Sequence, residues 1–340
     1  MGRLSRLDIG VWCEHWTPDQ IVSHLPWLKE RGLRLHFAVK SHFQANDFLP
    51  LLKEARALGV EVWAWPLLSE AQGYWAGADN AEDFSRRVQG LFEVWEAEGC
   101  LPQGVSFDFE PALEVLRAYL EPYEKSRGLS AVVAGVRRLR AAGSAHPLSQ
   151  ALSIYAELTH SLRSRGIGLH AVTTPLVLHD LEEGLGEPQS WKVRELLALP
   201  LEPEHYDWVS FMAYRSEYER IVSRALGGVG VNLGSALSGD VAARALKVLG
   251  DRASIDVGVL GDIEFPHKLK GFSSLRELDA ELHAVSEQGV QRAQVYRLEG
   301  WASLIENNAG NENPGRVPRI LQKLAVKLID RLTRVLIRFL

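Results

Sequence analysis

Residues 104–111 read GVSFDFEP, that is Gly104, Val105, Ser106, Phe107, Asp108, Phe109, Glu110 and Pro111. Polar and apolar side chains alternate here with a period of two, which predicts a β-strand with chemically different faces. Ser106, Asp108 and Glu110 share one face; Val105, Phe107 and Phe109 share the other. The same kind of short β-rich run recurs at 7–13 (LDIGVWC), 33–40 (LRLHFAVK), 60–67 (VEVWAWPL), 166–174 (GIGLHAVTT), 206–214 (YDWVSFMAY), 254–260 (SIDVGVL) and 292–297 (RAQVYR). Between these runs lie helical patterns at 17–31, 46–58, 80–98, 112–142 with 147–164, 190–198, 217–225 with 238–249, and 273–288. Thr17-Pro18 and Asn46 read as helix starts, and Gly32 and Gly59 as helix ends. Eight strands alternating with helices imply an α/β protein with a parallel sheet, and closing that sheet gives a TIM (β/α)8 barrel. The polar face of 104–110 then points into the barrel while its phenylalanines pack under the helices. A doubly wound open sheet is the second reading. It is disfavoured because Cys13-Glu14-His15-Trp16, and no glycine-rich turn, follows the first strand.

A chain of 340 residues accommodates one large barrel or two ordinary domains. With 46% hydrophobic and 24% charged residues it belongs to the globular class, far from disordered compositions. Acidic residues outnumber basic ones, 43 to 38, which argues against a nucleic-acid partner. Two cysteines, Cys13 and Cys100, build neither a disulfide framework nor a structural zinc site. Residues 1–7, MGRLSRL, lack the hydrophobic core of a secretory signal, so the expected location is the cytoplasm. The tail differs in kind. Over 315–340 it carries seven basic residues at helical spacing against one acid, Asp330, with Leu321, Leu324, Leu328, Leu332, Val335 and Phe339 beside them. The expected division is a barrel over 1–312 and a basic amphipathic helix over 313–340. That helix either packs across the barrel or lies on an anionic membrane surface or a partner protein, leaving the chain peripheral to a membrane.

In a parallel barrel, chemistry gathers at the C-terminal ends of the strands, where Asp108 and Glu110 fall. Burial raises carboxyl pKa values and mutual repulsion raises one further, so such a pair can hold a proton for use as a general acid. Ion pairing with barrel Arg, Lys or His is the structural alternative. The motif resembles that of the family 18 glycoside hydrolases, the chitinases and endo-β-N-acetylglucosaminidases, whose fourth strand carries D-x-x-D-x-D-x-E. Aligned on Glu110, this chain has Gln103, Ser106, Asp108 and Glu110. Where the family's sixth strand shows M-x-Y-D, this chain reads Met212-Ala213-Tyr214-Arg215. The resemblance implies a TIM barrel acting on N-acetylhexosamine-containing glycans without a cofactor or metal. It implies that Glu110 protonates the glycosidic oxygen and the substrate's own acetamido oxygen attacks. Asp108 would orient that acetamide and Tyr214 would donate a hydrogen bond to it.

Ser106, Met212 and Arg215 occupy the remaining motif positions and are expected to line the substrate. Trp12, Trp16, Trp65, Tyr296 and Trp301 stand near strand ends, and such flat rings stack on pyranose faces. Glu14, Lys40, His42, Glu70, Gln294 and Arg297 are further candidate contacts for a carbohydrate ligand. Two other classes stay open. One is a non-catalytic carbohydrate-binding barrel, favoured by the departures at 103, 106 and 215. The other is a metal-dependent, xylose-isomerase-like barrel drawing on His36, His42, His170, His179, Asp108, Glu110 and Asp180.

Overall fold

The computed structural model describes residues 7–125, 148–183, 192–263, 269–306 and 319–338, with 130, 133–135, 137 and 138 between the first two stretches. Eight strands, β1 (Asp8–Cys13), β2 (Arg34–Val39), β3 (Val62–Pro66), β4 (Gly104–Phe109), β5 (Gly168–Thr173), β6 (Trp208–Met212), β7 (Ala253–Gly258) and β8 (Arg292–Tyr296), close in sequence order into a parallel barrel. This is the TIM (β/α)8 fold. The helices are α1 (Pro18–Arg31), α2 (Leu49–Leu58), α3 (Ala81–Ala97), α4 (Leu113–Lys125), α5 (Leu148–Ser164), α6 (Leu178–Glu183), α7 (Lys192–Leu197), α8 (Arg215–Ala225), α9 (Ala236–Leu249), α10 (Leu275–Glu287), α11 (Leu298–Glu306) and α12 (Arg319–Arg338). Two short ones, α6 and α11, carry too few turns to show a helical period in the sequence. Of the helix expected over 112–142, much of the stretch 126–142 lies outside the described residues.

Local chemistry accounts for several boundaries. The Thr17 hydroxyl accepts from the Gln20 backbone N–H while the Gln20 side chain accepts from Thr17, a complete capping box at α1. Gly32 ends that helix at φ +61°, a conformation costly for residues with a Cβ. Asn46 is not a helix start: it lies within a single 3-10 turn whose cap is Gln44, bonded to Asp47, and α2 begins only at Leu49.

Outward-facing strand residues such as Val105, Phe107 and Phe109 pack with the helices into one continuous core. The barrel interior is layered. At its base Trp63 and Trp208 meet at 4.4 Å, and Arg34 lies over both rings while bonded to Glu61 and Asp8. Gly104 and Gly168 exist to admit the Trp63 ring: a Cβ on Gly104 would sit 2.3 Å from it. Gly104→Ala is therefore expected to lower stability by about 1–3 kcal/mol through overpacking, read from denaturant midpoints at unchanged slope. An unchanged midpoint would show that the ring shifts freely. The middle layer is polar. Ser106 Oγ lies 2.8 Å from His36 Nδ1 and 3.1 Å from His170 Nδ1, and His170 Nε2 lies 2.9 Å from Ser210 Oγ. Ser210 and Ser254 both donate to Gln294 Oε1 at 2.8 Å.

Helix α12 packs on the flank formed by α9 and α6. Val326 is buried there, with Ala325 and Ile329 beside it. Asp330 pairs with Arg244 at 3.1 Å and Arg334 with Glu182 at 2.8 Å. The expected boundary at 312–313 lies outside the described residues. Burying a valine-sized side chain contributes about 1.5–3 kcal/mol, so removing 315–340 is expected to lower the melting temperature by about 3–10 °C. An unaltered melting temperature would mean that the flank contact is incidental.

Candidate active site

Above the polar layer, the side chains facing inward at the C-terminal ends of the strands form a second cluster, separate from the outer core. Trp12, Trp65, Tyr74, Trp75, Met212 and Tyr296 belong to it, and Tyr214 packs against it. Period-two geometry brings Asp108 into the same layer, with Glu110 one step higher at the mouth. Asp108 is buried and, among the described residues, its Oδ1 has no hydrogen-bond partner, whereas Glu110 keeps part of its surface exposed.

Three further carboxylates share this mouth. Asp256 on β7 is fully buried; its Oδ2 accepts the Trp12 indole N–H at 3.0 Å and, among the described residues, its Oδ1 has no donor in hydrogen-bonding geometry. Glu14, just past β1, accepts the Tyr74 hydroxyl at 2.6 Å on Oε1 and the Tyr296 hydroxyl on Oε2. Glu217 stands in the first turn of α8. With so many acids together and little compensation, the pKa values rise. Burial pushes Glu110 up to about 8, reinforced by the charges of Glu217 and Glu14. Burial pushes Asp256 up to about 7, with Ser210 and Trp12 partly offsetting it. Asp108 is raised well above the carboxylate range by burial and then by Glu110, Asp256 and Glu14. Burial, with Asp256, Asp108 and Glu110 nearby, also holds the Tyr214 phenol protonated. The site thus stores protons on acids at neutral pH, which suits donation of a proton or of hydrogen bonds to a ligand.

The structure brings together Glu110, Asp108, Tyr214, Trp12, Trp65, Met212 and Tyr296, with the Tyr214 and Tyr296 rings stacked at 5.7 Å. Four expectations are corrected. Ser106 is one layer too deep to line a cleft: it is fully buried, and its hydroxyl is engaged by His36 and His170. Arg215 turns away from the acids, since it lies over the Phe272 ring and is bound by Glu277 at 2.6 Å and Glu281 at 3.1 Å. It therefore does not hold Asp108 or Glu110 ionised. Trp16 packs on His24 and Trp301 on Trp27, both against the outer core. The metal reading also loses its donor set: His36 and His170 sit in the polar layer, His179 lies against α12, and among the described residues no three His, Cys, Asp or Glu converge for a metal.

Of the weaker candidates, Glu14, Lys40, His42 and Glu70 border an open cleft of about 380 Å³ over the ends of β1–β3, with Tyr74. Gln294 is buried in the polar layer, and Arg297 donates to the Asp262 carbonyl at 2.8 Å. Asp256 escaped the sequence reading although its signal was present: Ser254, Asp256 and Gly258 alternate with apolar residues as Ser106 and Asp108 do. Tyr74 gave no such signal, because it lies in a loop whose path only the fold determines.

No protein-family model matches the chain, and no curated protein matches it by sequence. Solved structures do match. A chitinase from Rhizomucor miehei superposes with a TM-score of 0.50 at 13% identity, over 89% of this chain and 98% of that one. The virulence factor SghA, in complex with its substrate analogue salicin, gives 0.51 at 11% identity, over 87% of this chain and 88% of that one; SghA comes from Agrobacterium tumefaciens. At these identities the likeness is one of fold, the closed (β/α)8 barrel.

Proposed function

We propose that this protein is a glycoside hydrolase acting on N-acetylhexosamine-containing glycans, with Glu110 as general acid and Asp108 and Tyr214 holding the acetamido group. The observation that carries this reading is Glu110 itself. It stands at the C-terminal end of β4, reachable from solvent, with a pKa of about 8 that leaves it protonated at neutral pH. Asp108 lies below it with an oxygen that no described residue occupies, available to an amide N–H. Tyr214, half-buried and stacked on Tyr296, is the ring at the mouth that a pyranose face would meet, over the buried rings of Trp12 and Trp65. A chitinase shares the barrel, so the fold accommodates this chemistry, though fold alone does not assign it. Release of fluorophore from 4-methylumbelliferyl N-acetylglucosamine oligomers is the test. Turnover is expected; quenching of tryptophan fluorescence by the oligomers with no turnover would instead favour a binding barrel.

We also propose that α12 gives the barrel a peripheral contact with anionic membranes. Leu324 is 60% exposed and stands among exposed Lys323, Lys327 and Arg331. Among the described residues no helix is long and apolar enough to cross a membrane. Co-sedimentation with phosphatidylglycerol-containing vesicles, lost in Leu324→Asp, is the expected result; equal sedimentation of the variant would sink the proposal.

A further inference from the structure

We propose that the open cleft over the ends of β1–β3 is a binding site for the carboxylate of an acidic sugar, with the Lys40 ammonium as its counter-ion. The inference deepens the glycosidase reading above, on which the choice of a sugar rests, and narrows the substrate to glycans that carry carboxylates beside N-acetylhexosamines.

The cleft measures about 380 Å³, and Lys40, Ser41, His42 and Ser69 line it together with Glu14 and Tyr74. Volumes of about 300–1,000 Å³ are usual for small-ligand sites. One wall is the chain that leaves β2. Arg87 on α3 donates to the Lys40 carbonyl at 3.0 Å and to the Phe43 carbonyl at 2.8 Å, and the Phe43 N–H closes back on the Lys40 carbonyl at 3.0 Å. Residues 40–43 are thus pinned from behind before any ligand arrives, which keeps the ordering cost of binding small. Tyr74 borders the cleft and also belongs to the inner cluster with Trp12, Trp65 and Tyr296, so the cleft opens beside the mouth.

Which ligand chemistry fits depends on which lining groups are already engaged. Both Glu14 oxygens accept hydroxyls, from Tyr74 at 2.6 Å and from Tyr296. Glu70, at the rim, is bound by Arg117 at 3.1 Å. The groups left over are donors. Lys40 Nζ lies 3.3 Å from His15 Nδ1, which takes one of its three N–H bonds, and 3.9 Å from Glu14, too far for a hydrogen bond. Ser41 and His42 stand exposed beside it with donors of their own. An ammonium with N–H bonds to spare matches a carboxylate better than a sugar hydroxyl, because a charge-assisted hydrogen bond is about twice as strong as a neutral one. A cationic ligand would meet Lys40 with like charge.

The acids of the mouth do not oppose an anionic ligand at neutral pH. Burial keeps protons on Glu110 and Asp108, so the mouth carries less negative charge than its residue count suggests. Desolvation holds His15 below the usual histidine range, which leaves the ring neutral and its Nδ1 an acceptor for Lys40. The charge that the cleft turns toward a ligand is therefore that of Lys40.

The test is titration calorimetry with a hyaluronan tetrasaccharide, which alternates glucuronic acid with N-acetylglucosamine, against the same tetrasaccharide with its carboxyl groups reduced to alcohols. The wild type is expected to bind the acidic form about tenfold more tightly, a difference that shrinks as sodium chloride rises from about 0.05 to about 0.5 M. Lys40→Gln should lose the preference and Lys40→Arg should keep it. Acetate at about 10 mM should not displace the tetrasaccharide, since a lone anion lacks the contacts of the sugar. Equal affinities for the two forms in the wild type overturn the proposal whether or not the variants fold, and so does a preference undiminished in Lys40→Gln. Displacement by acetate reduces the cleft to a bare anion site and overturns the sugar; absence of binding by either tetrasaccharide overturns the site. The glycosidase reading is judged separately by cleavage. An acid preference without cleavage of any of the oligosaccharides leaves this site and removes the hydrolase, and cleavage without an acid preference does the reverse.

Discussion

Glu110→Gln is expected to lower kcat on N-acetylglucosamine oligomers by about 10²–10⁴-fold, with KM nearly unchanged and the barrel fully folded. The amide has the shape of the acid and donates hydrogen bonds, so ligand contacts survive. What it lacks is a proton to give to the leaving oxygen, and that defect appears in kcat. Folding should not suffer, because the substitution removes a half-buried titratable group that Glu217 and Glu14 repel when it is charged. The pH profile separates this role from simple binding. With Glu110 at about 8, wild-type turnover holds through neutral pH and falls above pH 8 as the acid ionises, by about tenfold per unit. Residual turnover in Glu110→Gln has no such alkaline limb. An active Glu110→Gln enzyme, or a limb that persists in it, would remove Glu110 from the reaction.

How much of this was legible in the sequence depends on the range of the interactions involved. The period-two alternation in 104–110 and in the other runs is local, and it located all eight strands to within about two residues. It also ordered the interior: Gly104, Ser106, Asp108 and Glu110 climb the barrel in that sequence, and only the last two reach the mouth. What local pattern could not show is depth. Ser106 and Asp108 look equivalent in sequence, yet one is saturated by His36 and His170 while the other has a bare oxygen. Partner choice was equally hidden. Arg215 stands where the resembling family has an acid and was expected to line the substrate, but Glu277 and Glu281, more than sixty residues away in the chain, bind it. Trp16 and Trp301 belong to loops and helices whose facing is fixed only when α1 and α11 dock. The Glu14 shell is the extreme case, joining residues 14, 74 and 296 through contacts that no spacing encodes.

Asp256→Asn is expected to stabilise the folded protein at pH 8 and to have little effect at pH 4. In the unfolded chain an aspartate releases its proton near pH 4; in the barrel, burial holds Asp256 up to about 7. Between those values the folded state binds a proton that the unfolded state has already released, so stability falls as pH rises through the window. Its contribution is fully present below pH 4 and lost above pH 7. A shift of roughly three pKa units corresponds to about 4 kcal/mol of stability lost on passing from one end to the other. The amide does not titrate, and its oxygen can still accept the Trp12 indole N–H. It also removes a charge that raises Asp108. Melting curves should therefore coincide at low pH and diverge with pH, the variant standing about 5–15 °C higher at pH 8. Parallel curves across the range would mean that Asp256 does not hold a proton in the native barrel. The divergence, if found, has a functional meaning that a surface acid would not give. A buried carboxyl kept at a net cost in stability beneath Asp108 raises the proton affinity of the group above it, and the same repulsion acts from Glu217 and Glu14 on Glu110. In wild type the stability forgone at neutral pH is then the energy that keeps the site protonated and ready to donate.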